Sequence, residues 1–285
     1  MRPYNPQPGT RAPLELVSEL AKICELLAEE ARDFILSHKP VKAAVLETKS
    51  TPTDVVTQMD KDVESLLRAR LADVRPDDGF LGEESEAVTS RSGLTWVIDP
   101  IDGTVNYLYG LPAYSVSIAV VQGEPNPTQW TQLAGCVIRV PDGTRWVAGK
   151  GLGALKNGEP IRVNRPHSLG ACLAGTGFGY DERVRAMQAD VLCAVLPQVR
   201  DIRRMGSAAI DLCSVADGTL DVYFERGLSP WDMAAGSLIA GEAGALVCGL
   251  DEGRPTKTMT LAGSADRVGE LAAILRSAHA DRELD

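Results

Sequence analysis

Trp96-Val97-Ile98-Asp99-Pro100-Ile101-Asp102-Gly103-Thr104-Val105-Asn106 is the stretch whose reading decides the fold. Trp96, Val97 and Ile98 are large or β-branched and read as a buried strand. Pro100 cannot donate a ladder hydrogen bond and biases Asp99 towards extended geometry, so the strand is read as stopping at Asp99-Pro100, with Asp99 projecting from its end. Open α/β sheets place ligands at that position. Asp102 follows three residues later, and Gly103 and Thr104 are small enough to let an anion reach the backbone N–H groups. Two carboxylates held in one corner repel unless a cation lies between them, and oxygen-only donors select a hard ion such as Mg²⁺. Either dipeptide alone, Asp-Pro or Asp-Gly, is accounted for by a turn. The rest of the chain has to decide between turn and site.

Upstream, Phe80-Leu81-Gly82 reads as a short strand ending in Glu83-Glu84, which is either surface charge or a second ligand delivered beside Asp99. Before it, Lys61 to about Val74 reads as a helix with Val63, Leu66, Leu67 and Leu71 inward, led in by a loop or hairpin from Lys49 to Asp60. Thr57 or Asp60 is placed to cap that helix. A longer helix runs from Leu14 to about Lys39, with Val17, Leu20, Ala21, Cys24, Leu27, Ala28, Ala31 and Phe34 or Ile35 on one face and Glu19, Lys22, Glu29 and Arg32 on a solvated one. Residues 1–13 hold four prolines and few large apolar side chains, the composition of a mobile tail.

Downstream, residues 113–122, 132–139 and 144–149 alternate as antiparallel strands joined by turns at 123–127 and Pro141-Asp142-Gly143. From Ala171 strand and helix alternate, the pattern of an α/β lobe. A strand at 171–176 precedes a helix at 181–196 and a strand at 200–203. Gly206-Ser207-Ala208-Ala209 then opens an apolar helix ending at Ala216; small residues there serve either a ligand at backbone amides or close helix packing. Leu220 to Phe224 is a strand ending at Glu225. Trp231-Asp232 starts a long apolar helix to Glu242, and an acid in a first turn gains about 0.3–1 kcal/mol from the helix dipole whether or not it has another role. Strands at 245–248 and 259–262 and a helix at 265–277 complete the chain.

The 285 residues are 44% hydrophobic and 24% charged, ordinary for a folded soluble chain of one large or two small domains. A formal net charge of -10 argues against non-specific nucleic-acid binding, and no feature of the sequence indicates a transcription-machinery partner. It does not argue against a phosphate substrate, because a bound dication reverses the local sign. Cys24, Cys136, Cys172, Cys193, Cys213 and Cys248 lack metal-ligand or redox spacing and read as reduced thiols. No apolar run reaches the roughly 18 residues of a membrane span, and the N-terminal residues are not signal-like, so a cytoplasmic enzyme is expected.

Taken together, Asp99-Pro100-Ile101-Asp102-Gly103-Thr104 on a strand, Gly82-Glu83-Glu84-Ser85 before it and Trp231-Asp232 far after it resemble the inositol monophosphatase family of Mg²⁺-dependent, lithium-sensitive phosphatases. Gly206-Ser207-Ala208-Ala209 and the stretch 175–180 resemble its bacterial SuhB-type branch. The resemblance extends from about Leu14 to the last helix. It implies an α+β/α/β fold, the layered αβαβα sandwich of the inositol monophosphatase and fructose-1,6-bisphosphatase type. It implies one phosphatase domain over 14–285, with an α+β lobe at 14–165 holding the metal site and an α/β lobe at 166–285 completing it. Gly151 to Gly158 resembles the family's small hairpin and reads as scaffold.

The same resemblance implies two or three Mg²⁺ ions per site. Glu83, Asp99 and the carbonyl of Ile101 would bind the first, and Asp99, Asp102 and Asp232 the second. Glu83 and the Asp60/Thr104 pair would orient and deprotonate the attacking water, and the amides of Gly103 and Thr104 would hold the phosphate. Asp102, the backbone of Gly206, Ser207 and Ala208, and Glu225 would take the alcohol, with Lys49 giving electrostatic help. His38, His167 and His279 fall in none of these motifs. The expected activity is hydrolysis of myo-inositol monophosphate by a homodimer inhibited by lithium. Rivals with related motifs are histidinol-phosphate, fructose-1,6-bisphosphate and 3′-phosphoadenosine 5′-phosphate phosphatases, and, from another class, a SuhB-like regulatory binding protein.

Overall fold

The computed structural model describes residues 12–39, 45, 47–48, 55–251 and 253–282. Lys49 and all but the last two residues of the predicted tail lie outside them. In chain order the elements begin with α1 (Leu14–His38), β1 (Glu47–Thr48), β2 (Val55–Val56), α2 (Gln58–Val74), β3 (Gly79–Gly82), β4 (Leu94–Asp102) and α3 (Thr104–Tyr109). Then come β5 (Ser115–Gln122), β6 (Thr131–Arg139), β7 (Arg145–Gly149), β8 (Gly153–Lys156) and β9 (Glu159–Pro160). The rest are β10 (Leu173–Thr176), α4 (Glu182–Val195), β11 (Asp201–Arg203), α5 (Ala208–Ala216), β12 (Val222–Glu225), α6 (Pro230–Glu242), β13 (Leu246–Cys248), β14 (Thr260–Gly263) and α7 (Ala265–Ser277).

Among the described residues, β3 to β9 form a seven-stranded sheet in sequential order, with β3 parallel to β4 and the other neighbours antiparallel. Side chains alternate across it, as the two-residue period of a strand requires. Trp96, Ile98, Ile118, Val120, Cys136 and Ile138 pack with α1 and α2, while Val97, Ala119, Val121 and Val137 pack with α5 and α6. A five-stranded sheet, ordered β11-β10-β12-β14-β13, covers the other side of α5 and α6. Its Tyr223 and Ala262 face those helices; Val222, Phe224 and Leu261 face α4 and α7. α6 is buried from Met233 to Ala240 because it meets a sheet on each side, which is why its sequence is apolar all round. The layers run α1/α2, sheet, α5/α6, sheet, α4/α7, the expected αβαβα sandwich.

Three expectations need correction. β4 does not stop at Asp99-Pro100 but continues to Asp102. Asp99 pairs with Ser117 and Asp102 with Ser115, so one extra residue is accommodated in a bulge. A bulge already interrupts the ladder, so the missing N–H of Pro100 costs little there. α2 begins at Gln58 rather than Lys61, since Thr57 and Asp60 cap it together in a capping box. On α2, Leu66 is only half-buried while Glu64 is buried.

Candidate active site

Parallel pairing of β3 with β4 sets Gly82 opposite Ile98, so the chain leaving β3 delivers Glu83 beside Asp99. The bulge then re-aims β4 and carries Asp102 to the same cleft. Asp232 enters from the other side at the third position of α6, after N-cap Ser229 and Pro230, and accepts from the Ser229 backbone N–H at 2.6 Å. The cleft measures about 670 Å³. Every residue named from the sequence lines it except Asp60, which lies directly behind, and Lys49, which is not described.

Asp60 is fully buried and accepts from the Thr57 backbone N–H at 2.8 Å, from the Thr57 hydroxyl, and from Thr104 Oγ1 at 3.0 Å. The cap and the contact to Thr104 are therefore compatible roles of one carboxylate. Thr104 Oγ1 is equally 3.0 Å from the Ile101 carbonyl, so its single proton is shared between that oxygen and Asp60. Gly103 caps the short α3 at φ +96°, where a Cβ would come within 2.9 Å of the Ala113 carbonyl and 3.0 Å of the Gly206 carbonyl. Only glycine lets the two turns approach that closely.

On the α5 side, Asp102 accepts from Ser207 Oγ at 2.6 Å and from the Ala209 backbone N–H at 2.7 Å. Asp99 accepts from the Ile101 backbone N–H at 3.1 Å. Asp99, Asp102 and Asp232 thus each spend an oxygen on the protein. Among the described residues no three acidic, imidazole or thiol groups already stand together as a finished metal shell. The donor set nevertheless fits a hard divalent cation. Burial, then Glu83, Asp102, Asp232 and Asp60, push the Asp99 carboxyl well above its ordinary range, and burial with Glu83 and Asp102 does the same to Asp232. Buried carboxylates placed side by side repel unless a cation lies between them, which is the charge a hard divalent ion supplies.

Burial raises the Asp102 carboxyl to about 6, against the opposing bonds from Ser207 and Ala209. A carboxyl raised on folding adds stability that is full below its unfolded pKa of about 4 and is lost as the pH rises through about 6. Metal-free protein melted across about pH 4.5–7.5 should therefore show part of its downward slope removed in Asp102→Asn. Parallel melting curves for the two proteins would contradict the assignment.

Several residues of the site were not read from the sequence. Tyr223 Oη donates to Glu225 Oε2 at 2.5 Å. The signal was available, since residues two apart on a strand share a face. Burial lifts the Glu225 carboxyl to about 7 against that bond. Asp211 on α5 is buried, with one oxygen unpartnered, and is held well above the ordinary range by burial, Glu225 and Asp102; nothing in its sequence context marks it. Asn106 Nδ2 donates to the Ala113 and Met205 carbonyls at 2.6 and 2.8 Å, tying the turn before α5 to the segment before β5. Arg204 and Lys257 also line the cleft.

Residues 16–280 match the model of the inositol monophosphatase family. The chain is 45% identical over 248 residues to the inositol-1-monophosphatase SuhB of Mycobacterium tuberculosis, covering 81% of this chain and 83% of that protein. It is 37% identical over 270 residues to the Nus factor SuhB of Xylella fastidiosa, covering 90% and 94%. The crystal structure of the extragenic suppressor protein suhB from Bartonella henselae superposes with a TM-score of 0.81 at 30% identity, covering 90% of this chain and 98% of that one. No described helix is long and apolar enough to cross a membrane.

Proposed function

The chain belongs to the inositol monophosphatase family, and from that premise we propose that it is a Mg²⁺-dependent phosphatase hydrolysing an inositol monophosphate to inositol and phosphate. The observation that carries this reading is the convergence of Glu83, Asp99, Asp102 and Asp232 on one cleft that also holds Glu225. When bound, Mg²⁺ supplies Lewis-acid neutralisation of phosphoryl charge and a more acidic water. Glu83, Asp99, Asp102, Asp232 and the Ile101 carbonyl would hold it. Thr104, backed by Asp60, accepts a proton from the attacking water and passes its own to Asp60. The amides of Gly103 and Thr104 receive phosphate oxygens. Asp102 and Glu225 accept hydrogen bonds from substrate hydroxyls. Ser207 donates its hydroxyl hydrogen bond to Asp102, so it serves by holding that carboxylate and, with Gly206 and Ala208, through the backbone. The shared middle layer supports reading 14–285 as one phosphatase domain. The reading further includes a homodimer in the cytoplasm.

Phosphate release is measured with Mg²⁺ on inositol 1-phosphate, histidinol phosphate, fructose 1,6-bisphosphate and 3′-phosphoadenosine 5′-phosphate. Preference for inositol 1-phosphate, lowered by millimolar lithium, is the expected result. Preference for another ester keeps the chemistry and replaces the substrate. No Mg²⁺-dependent release from any of them would favour a regulatory binding role, the reading supported by likeness to the protein named Nus factor SuhB.

A further inference from the structure

α2 places Asp60, Glu64 and Arg68 at successive intervals of four, on one helical face turned towards the site. Asp60 serves Thr104. Glu64 is only 2% exposed, and a carboxylate taken out of water is costly unless donors meet it. Its donors come from one turn. Glu64 Oε2 accepts from the Glu84 backbone N–H at 2.8 Å, and Oε1 accepts from the Ser85 hydroxyl. Arg68 Nη2 donates to Ser85 Oγ at 2.5 Å and to the Glu86 carbonyl at 2.7 Å, with its guanidinium 4.2 Å from the Phe80 ring centroid. On the other side of Glu83, a Cβ at Gly82 would fall 2.2 Å from Glu64 Oε2. Strand end and turn are thus both pressed onto one buried carboxylate, with Glu83 the residue between them.

We propose that Glu64 is a positioning residue that acts through Glu83, clamping the backbone on either side of it so that its side chain is delivered beside Asp99. The proposal rests on the phosphatase reading for Glu83. It departs from an ordinary structural acid in one respect: α2 becomes a single ruler that sets Thr104 through Asp60 and Glu83 through Glu64. The two ends of the water-activating machinery then keep their separation as one rigid piece.

The test uses Glu64→Ala, Glu64→Gln and Ser85→Ala in the full chain. Three readouts are taken: amide hydrogen exchange of the metal-free protein, calorimetric titration with Mg²⁺, and the split between kcat and KM. In Glu64→Ala the Glu84 amide should lose its protection, and Mg²⁺ binding should weaken about 10- to 100-fold, as for loss of a partner that orients a ligand. kcat should fall with KM little changed. Glu64→Gln can still accept from the Glu84 N–H and donate to Ser85 Oγ, so it should recover most of each loss. Should Glu64→Ala fail to fold, Ser85→Ala leaves the sequence of α2 unchanged, removes one of the two bonds to Glu64 together with the bond from Arg68, and should shift the same readouts in the same direction, less far, with the Glu84 amide still held by Glu64. Unchanged Glu84 protection, or wild-type Mg²⁺ affinity and kcat with only a lower melting temperature, would overturn the proposal. Wild-type protein that binds no Mg²⁺ would instead overturn the phosphatase reading, and the exchange of Glu84 in metal-free protein keeps the two failures apart.

Discussion

Asp99→Asn should lower Mg²⁺-supported phosphate release by about a thousandfold or more, since several kcal/mol of charge stabilisation would depend on a carboxylate proposed to hold the metal. The same substitution should raise the melting temperature of the metal-free protein. Asp99 is buried at 2% exposure among like charges, and asparagine keeps an acceptor for the Ile101 N–H while removing the charge. The sign follows from linkage: a carboxyl whose folded pKa is raised costs stability once the pH exceeds its unfolded value, and the cost is largest at neutral pH. Phosphate release and thermal melting with and without Mg²⁺ check both halves. Unchanged turnover would sink the metal reading. Lost turnover with an intact Mg²⁺-induced rise in melting temperature would move Asp99 out of the metal set.

Thr104→Ala should reduce kcat by about 10²- to 10⁴-fold, the usual contribution of a positioned proton acceptor, with KM changed little. Asp60 keeps its two bonds from Thr57, so the start of α2 survives, and the stability cost should be near the ~1 kcal/mol of one hydrogen bond. Thr104→Ser retains the hydroxyl and should retain most of the rate. Steady-state kinetics beside melting curves separate the outcomes. A variant that loses stability but keeps kcat would reduce Thr104 to a packing residue.

Much of this site was legible because its side chains sit at ends of elements that announce themselves. Trp96 to Ile98 read as a strand and Trp231-Asp232 as a helix start, while the carboxylates beside them took their site roles from the family resemblance. What escaped the sequence depends on tertiary partners. Pro100 argues locally for a strand end, yet pairing with β5 carries β4 past it through a bulge, and that bulge is what brings Asp102 round to Asp99. Thr57 and Asp60 were each credible as a cap, and a single chain position cannot reveal that they cap jointly. Glu64 sits next to inward-facing Val63 and reads as one more helix charge; only the turn at Glu84 and Ser85, folded over it, makes burial affordable. Asp211 is opaque for the same reason, since its surroundings are built from β10 and β12.

The place of α6 between two sheets also decides what an incomplete polypeptide can do. A ribosome that has released the chain only as far as β9 has made Glu83, Asp99 and Asp102, but not Ser207 and Ala209, which hold Asp102, nor Asp232. The sheet face bearing Val97, Ala119 and Val137 is then bare as well, because its cover is α5 and α6. A product truncated there would leave this apolar face uncovered and would lack both donors to Asp102 as well as Asp232.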